Sequence, residues 1–321
     1  MSRWSLNVII MGLSCALSLL LFFQNPWLST DLNNNSYAWF VDFSRTIFQA
    51  NSAYYAESIL LPLIARLIKV SNSLLAYKYL CAILTCLILP VFTWCSLKIL
   101  KNRVQAIIFT LLFASTFQYL KFYILGFSDP LTILFLGIAA FSRKSIYVLM
   151  CLCLAGLSHF SMALLGACGL AILFLFAPFI EKKLRIGLAI ASILGVLIAR
   201  IFLALWYLIF NYELISRVDF ILNKGAGFFI ERYQSNIAGF WLTPGIPFLL
   251  FYAITTGFFI YRRNYYFAIA AICALSLAYF SIFITIDGLR VFAVTIVSAY
   301  ILLMISFIQG ISAKFNIPSL F

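Results

Sequence analysis

Apolar residues run through this chain in long blocks separated by short polar stretches. The blocks cover residues 7–23, 75–97, 104–122, 126–142, 146–160, 161–179, 186–210, 242–261, 265–285 and 291–309. Several lie near the ~17-residue lower limit for crossing the hydrocarbon of a bilayer. Ten-residue alternating segments do not recur, so helices rather than a closed barrel are expected. The apolar run 146–179 is too long for one helix and predicts two short ones meeting at Leu157-Ser158-His159-Phe160-Ser161. The pattern predicts an all-α polytopic membrane protein with about ten transmembrane helices in a single domain, 1–321. Two longer segments fall outside the blocks, 24–74 and 211–240, and are read as outer loops. No linker, low-complexity tract or convincing internal repeat interrupts the series.

The first loop carries its own pattern. Residues 37–50 hold Tyr37, Trp39, Phe40, Phe43 and Phe48, with Asp42 and Arg45 three apart on one helical face; this suits a helix lying in the membrane interface. Residues 57–70 form a further apolar stretch, read as a juxtamembrane helix kinked or started at Pro62. The basic clusters set the orientation: Lys98, Lys101 and Arg103; Arg143 and Lys144; Lys182, Lys183 and Arg185; Arg262 and Arg263. Placed inside with Arg3 and Lys314, they put 12 bases and one acid, Glu181, on that side; the remainder holds 10 bases and eight acids. Reading 57–70 as an extra span behind an inside N-terminus would move all four clusters outside, and is rejected. An outside N-terminus with eleven spans leaves the clusters in place, so charge counting allows it.

Composition fixes the class. At 65% hydrophobic and 10% charged, with a mean hydropathy of +1.08, the chain lacks the polar residues to cover a water-soluble fold. The net charge of +13 follows from the topology, and nucleic acid is not an expected partner. All eight cysteines (Cys15, Cys81, Cys86, Cys95, Cys151, Cys153, Cys168 and Cys273) lie in apolar stretches without a CxxC pair, so neither a disulfide nor a zinc site is expected. Residues 7–23 lack a following small-residue cleavage site and read as a retained anchor.

The polar residues near or inside the blocks are the candidates for chemistry. Arg200 lies inside a predicted span, where an arginine costs ~2.5–3.5 kcal/mol on insertion scales and so implies an ion-pair partner, a wet cavity or snorkelling. Arg290, at a helix mouth, suits a phosphate. Asp129 before Pro130 reads as a helix N-cap, and Asp287 as part of an Asp-Gly turn. Asp42 points to a surface pair with Arg45, Glu57 to a helix cap or a substrate contact, and Asp31 to a cap, a solvated acid or a general base at the outer boundary. His159, the lone histidine, is a buried hydrogen-bonded ring or a phosphate donor, and a histidine-based metal site is not expected.

The order of parts resembles the GT-C glycosyltransferases, membrane enzymes that use polyprenyl-phosphate-linked sugars. A first helix leads to an outer acid (Asp31), then an aromatic juxtamembrane helix (37–50), then the proline-containing stretch ILLPLIARLI and the span SLLAYKYLCAILTCLILP. FYILGFSDPLTILFLGIAAFSRK is similar to the family's outer turn and small-residue helix, and LAGLSHFSMALL to its outer end of span five, with His159 where lysine is frequent. The match covers residues 1–180; a soluble C-terminal domain such as many members carry is not expected, and the NNN run stretches the acid-to-tyrosine spacing.

The resemblance implies a GT-C-like fold and an inverting transfer of sugar to an acceptor hydroxyl at the outer membrane face, with Asp31 as base. Asp129, His159, Arg200, Arg290, Asp42 and Glu57 would bind substrate. The partners implied are a polyprenyl-phosphate sugar donor, a glycan, lipid or protein acceptor, and membrane lipid. No resident cofactor is implied, unless Asp31 and Asp129 share a divalent cation. The location implied is a bacterial inner membrane, multi-pass, in cell-envelope glycan synthesis. A transporter or flippase, a related polysaccharide polymerase and a non-catalytic binder of lipid-linked sugar are the other readings.

Overall fold

In the computed structural model the described residues are 3–24, 38–49, 57–100, 102–116, 127–212, 225, 227–235, 245–284 and 288–315. Among them there is no strand. The helices are α1 (Arg3–Phe23), α2 (Ala38–Arg45), α3 (Leu60–Leu67), α4 (Leu74–Ile99), α5 (Arg103–Thr116), α6 (Asp129–Phe141), α7 (Ser145–Ser158), α8 (Phe160–Phe176), α9 (Lys182–Ile209), α10 (Ile246–Tyr261), α11 (Tyr265–Ile284) and α12 (Gly288–Phe315). Five of them, α1, α4, α9, α11 and α12, are long and apolar enough to cross a membrane; α5, α6, α7, α8 and α10 are shorter apolar helices. The run 146–179 is divided into α7 and α8 at His159, whose extended backbone (φ −159°, ψ 98°) breaks the helical path.

Helix surfaces show which solvent they meet. On α9, Ile186, Ile190, Leu194, Leu197, Ile201 and Leu205 are all exposed at three- and four-residue steps, an apolar stripe that suits hydrocarbon rather than water. α12 has no polar face and is buried over nearly its whole length, as expected of a helix apolar all round; α6, α8 and α11 pack around it. Apolar burial gives no net drive among lipid tails, so close packing of small residues has to hold such helices together. A Cβ on Gly195 would lie 2.5 Å from the Leu149 carbonyl oxygen, and one on Gly156 2.5 Å from the Ala199 Cβ. α7 and α9 are therefore in near backbone contact.

Two hydrogen bonds settle how the chain leaves and re-enters the bundle. Ser18 Oγ donates to the Cys86 carbonyl at 2.8 Å, and Arg103 Nε donates to Asn7 Oδ1 at 2.8 Å. α1 therefore runs antiparallel to α4, with its start at the end of the bundle that holds Lys98 and Arg103. α3 is an eight-residue helix, only about 12 Å long, and it lies at the opposite end, where α1 finishes and α4 begins. α3 is too short to supply the extra span of the eleven-span reading. α3 begins two residues before Pro62, which sits in the first turn where its missing N–H costs no intrahelical bond. It stops at Lys69, in the left-handed region at φ 62°, and Ser73 Oγ then caps α4 by accepting from Ala76 N.

α2 departs from the expected interfacial helix. Among the described apolar residues of this stretch Phe40, Val41, Phe43 and Ile47 are buried while Trp39 and Phe48 are largely exposed, and Tyr37 lies outside the described residues; Phe40 and Phe43 thus dock onto the bundle instead of into lipid. Phe40 meets Phe127, Phe43 meets Tyr212, and Tyr212 Oη donates to the Ile47 carbonyl at 2.9 Å. Burial pushes the Tyr212 phenol above its ordinary value. At the other end, Arg143 donates to the carbonyls of Ala140, Phe141 and Ser142 at 3.2–3.4 Å and closes α6. Burial lowers its guanidinium to about 10, still charged at neutral pH.

Candidate functional site

The starts of α4, α6, α8 and α12 share the end of the bundle away from the basic clusters, and the buried residues Lys78, Asp129, His159 and Arg290 lie towards that end. Asp129 is the first residue of α6 and Pro130 the second, so the N-cap position falls on Ser128, not on Asp129 as its sequence context suggests. The reason lies 161 positions away in the chain: Arg290 Nη1 donates to Asp129 Oδ2 at 2.7 Å. The carboxylate turns from its own helix to the guanidinium, whose carbon stands 4.1 Å from the centre of the Phe127 ring. Asp129 and Arg290 side chains are 1% and 10% exposed, making this a buried, charge-assisted pair.

A hydroxyl chain carries the α6 start to the α7–α8 corner. Thr132 Oγ1 donates to Ser158 Oγ at 3.0 Å, and Ser158 Oγ donates to the Ser128 carbonyl at 3.1 Å. The next residue, His159, is buried, with Nδ1 3.4 Å from Ser161 Oγ. Its backbone serves both helices, N–H to the Ala155 carbonyl and C=O from the Ala163 N–H.

Arg200 lies beside this corner. Its guanidinium stacks 5.0 Å from the Phe160 ring centre, and Nη1 stands 3.6 Å from Glu57 Oε1. Counting along α9 puts Arg200 well inside a span, but the Gly156–Ala199 approach sets it level with the end of α7. α9 has 28 residues, about 42 Å of helix, and so extends past its shorter neighbours. The arginine thus stands near the rim, 41% exposed at the side chain, with the partner that burial in a membrane demands. Glu57 is that partner and not a helix cap: α3 begins after Ile59 with no side-chain cap.

Asp42 makes the exposed pair expected of it, 3.3 Å from Arg45 Nη1. Arg45 also donates to the carbonyls of Ser71 and Asn72 at 2.7 and 3.0 Å, and Arg66 donates to the Arg45 carbonyl, tying α2 to the α3–α4 turn. Asp42 is therefore apart from the interior polar array. Asp31 and Asp287 lie outside the described residues. No group of three His, Cys, Asp or Glu that could hold a metal occurs among the described residues, and Asp129 is engaged by Arg290.

One interior cation escapes the sequence reading. Lys78, in the second turn of α4, is 1% exposed. The available signal was the one that marks Arg200, a cation inside an apolar block, but Lys78 lies near the block's start, where long cationic side chains commonly reach to the interface. No family model, no curated protein and no solved structure matches the chain.

Proposed function

We propose that this helical membrane protein is a glycosyltransferase with about ten spans and a GT-C-like arrangement. It would move a sugar from a polyprenyl-phosphate donor to an acceptor hydroxyl at the outer face of a bacterial inner membrane, with inversion. The observation that carries this reading is the gathering of Arg200, Arg290 and His159, from three separate helical elements, at the end of the bundle opposite its basic clusters. Such groups, held in place by their neighbours, favour negative charge that develops on a leaving phosphate.

In the reaction proposed, Asp31 takes the proton of the acceptor hydroxyl as its oxygen attacks the anomeric carbon. The bond from that carbon to the phosphate oxygen breaks, and its electron pair leaves on a polyprenyl monophosphate. Arg290, already oriented by Asp129, and Arg200, oriented by Glu57, would receive that charge. His159 would donate from the corner between them. A phosphate leaving group needs no proton, so one carboxylate base is sufficient.

The test is Asp31→Asn in purified, lipid-reconstituted protein. Transfer of radiolabelled sugar from a polyprenyl-phosphate donor should fall by at least ~100-fold, the lower range for general base catalysis, while donor binding persists. One buried and one half-exposed cation–carboxylate contact in a membrane bundle also suit a transporter or flippase. Unchanged movement of lipid-linked sugar across vesicles by Asp31→Asn, with no transfer by the parent protein, would establish that reading instead.

A further inference from the structure

α10 and α11 are joined by a short turn at the basic end of the bundle, and their buried sides are tied together. Tyr252 Oη donates to the Ala271 carbonyl at 2.7 Å, and the buried rings of Phe259 and Phe267 meet edge to face at 4.7 Å. On the other side the same two helices leave a groove of about 390 Å³ between them. Leu249, Ala253, Gly257 and Ile260 line it from α10, and Ile272 and Leu275 from α11. The α10 residues follow steps of three and four, one stripe along the helix. Ala253, Gly257, Ile260 and Ile272 are exposed, so the groove opens towards lipid.

Gly257 keeps this groove free. A Cβ added at Gly156 or Gly195 would strike the neighbouring helix, whereas one added at Gly257 would meet nothing within 4 Å. Packing of the chain on itself therefore does not call for a glycine here, a residue that weakens a helix interior. From Leu249 to Ile260 the groove follows about 16 Å of helix, close to half of the ~30 Å hydrocarbon thickness. That is the depth of one leaflet, and so of one lipid chain.

The turn at the basic end of the groove reads Tyr261-Arg262-Arg263-Asn264-Tyr265-Tyr266. The Arg262 N–H donates to the Phe258 carbonyl at 3.0 Å and the Arg263 N–H to the Ile260 carbonyl at 2.9 Å, which holds both arginines within one turn of Ile260. Both are exposed. Among the described residues neither makes an ion pair with a carboxylate. Tyr261, Tyr265 and Tyr266 are exposed beside them, and such rings sit at the level of lipid headgroups.

We propose that the α10–α11 groove binds an anionic phospholipid of the leaflet at the basic end, with one acyl chain along Gly257 and the phosphate on Arg262 and Arg263. Two arginines without a carboxylate complement a negative headgroup, and basic pockets between spanning helices on the cytoplasmic side recognise such headgroups. The donor of the proposed transfer is not this occupant, because its phosphate would lie at the opposite end of the bundle. The lipid site stands whether or not the protein transfers sugar.

The test is equilibrium binding to the purified full chain in detergent, with phosphatidylglycerol, phosphatidylcholine of the same chains and a polyprenyl monophosphate as probes. The parent should prefer phosphatidylglycerol to phosphatidylcholine by at least ~10-fold, and Arg262→Gln/Arg263→Gln should erase that preference. Gly257→Leu fills the groove and should weaken phosphatidylglycerol binding by at least ~10-fold. Gly12→Leu, which adds the same side chain at another place where a Cβ meets nothing, should bind as the parent does. Equal affinity of the parent for the two phospholipids, unchanged binding by Gly257→Leu, or an equal loss in Gly12→Leu overturns the proposal. Tighter binding of the polyprenyl monophosphate than of phosphatidylglycerol, lost in Gly257→Leu, would give the groove to an isoprenoid chain and overturns it as well. Should the double arginine variant fail to insert, Gly257→Leu decides alone. No sugar enters this assay, so a failure of the transfer reading leaves its outcome readable.

Discussion

Breaking the Asp129–Arg290 pair one side at a time should cost far more than removing it whole. At 2.7 Å and an effective dielectric of about 20, the attraction is about 6 kcal/mol. Desolvation of the two charges takes back several kcal/mol for each ion. Asp129→Asn keeps the shape, removes the attraction and leaves a buried guanidinium on the Phe127 ring, which predicts a loss of about 3–5 kcal/mol. Arg290→Met strands the carboxylate at the α6 start with a similar loss. Asp129→Leu/Arg290→Met removes both desolvation terms together and should return to within about 1 kcal/mol of the parent, or exceed it. The assay is a double-mutant cycle on unfolding in mixed micelles, read by near-ultraviolet circular dichroism. A loss below ~1 kcal/mol for Asp129→Asn, or a double-variant loss equal to the sum of the two single losses, would mean that the charges are solvated and not a buried pair.

Other regions give smaller or differently read effects. Gly195→Val should lower the yield of folded protein, because its branched side chain must displace the Leu149 carbonyl; overpacking of this kind costs about 1–3 kcal/mol. Asp42→Asn should change stability by less than ~1 kcal/mol, the range for exposed pairs, and leave transfer intact. Glu57→Gln should make the segment between α2 and α4 cleave faster in limited proteolysis while global unfolding changes little, since the Arg200 contact is half-exposed at 3.6 Å. In a cysteine-free background, Asn7→Cys and Asn102→Cys should react with an impermeant maleimide from one side of sealed vesicles and Lys69→Cys from the other; labelling of 7 and 102 from opposite sides would refute the antiparallel packing of α1 on α4.

The sequence pattern located the helices well because in a membrane the backbone must be satisfied within each segment, and apolar block length then reports helix position directly. The break at His159 was legible for the same reason, since 34 apolar residues cannot pack as one span. Depth and partnership were not legible. Arg200 reads as a mid-span charge because its level is set by how far α9 overhangs α7, which depends on Gly156 meeting Ala199. Asp129 reads as a cap because the residue that captures it is far along the chain, and local propensity yields to a buried cation. The aromatics of α2 read as interfacial, yet the bundle offers Phe40 and Phe43 tighter surroundings than lipid headgroups do.

The burial of α12 bears on how the protein is made. The helix that α6, α8 and α11 pack around follows all of them in the chain, so they enter the membrane before their common neighbour exists. Their inward faces, including Asp129 before Arg290 is synthesised, must meanwhile be sheltered by lipid, by one another or by the insertion machinery. A ribosome stalled before residue 288 would leave an intermediate with an unclaimed carboxylate in its interior, a natural target for membrane quality control.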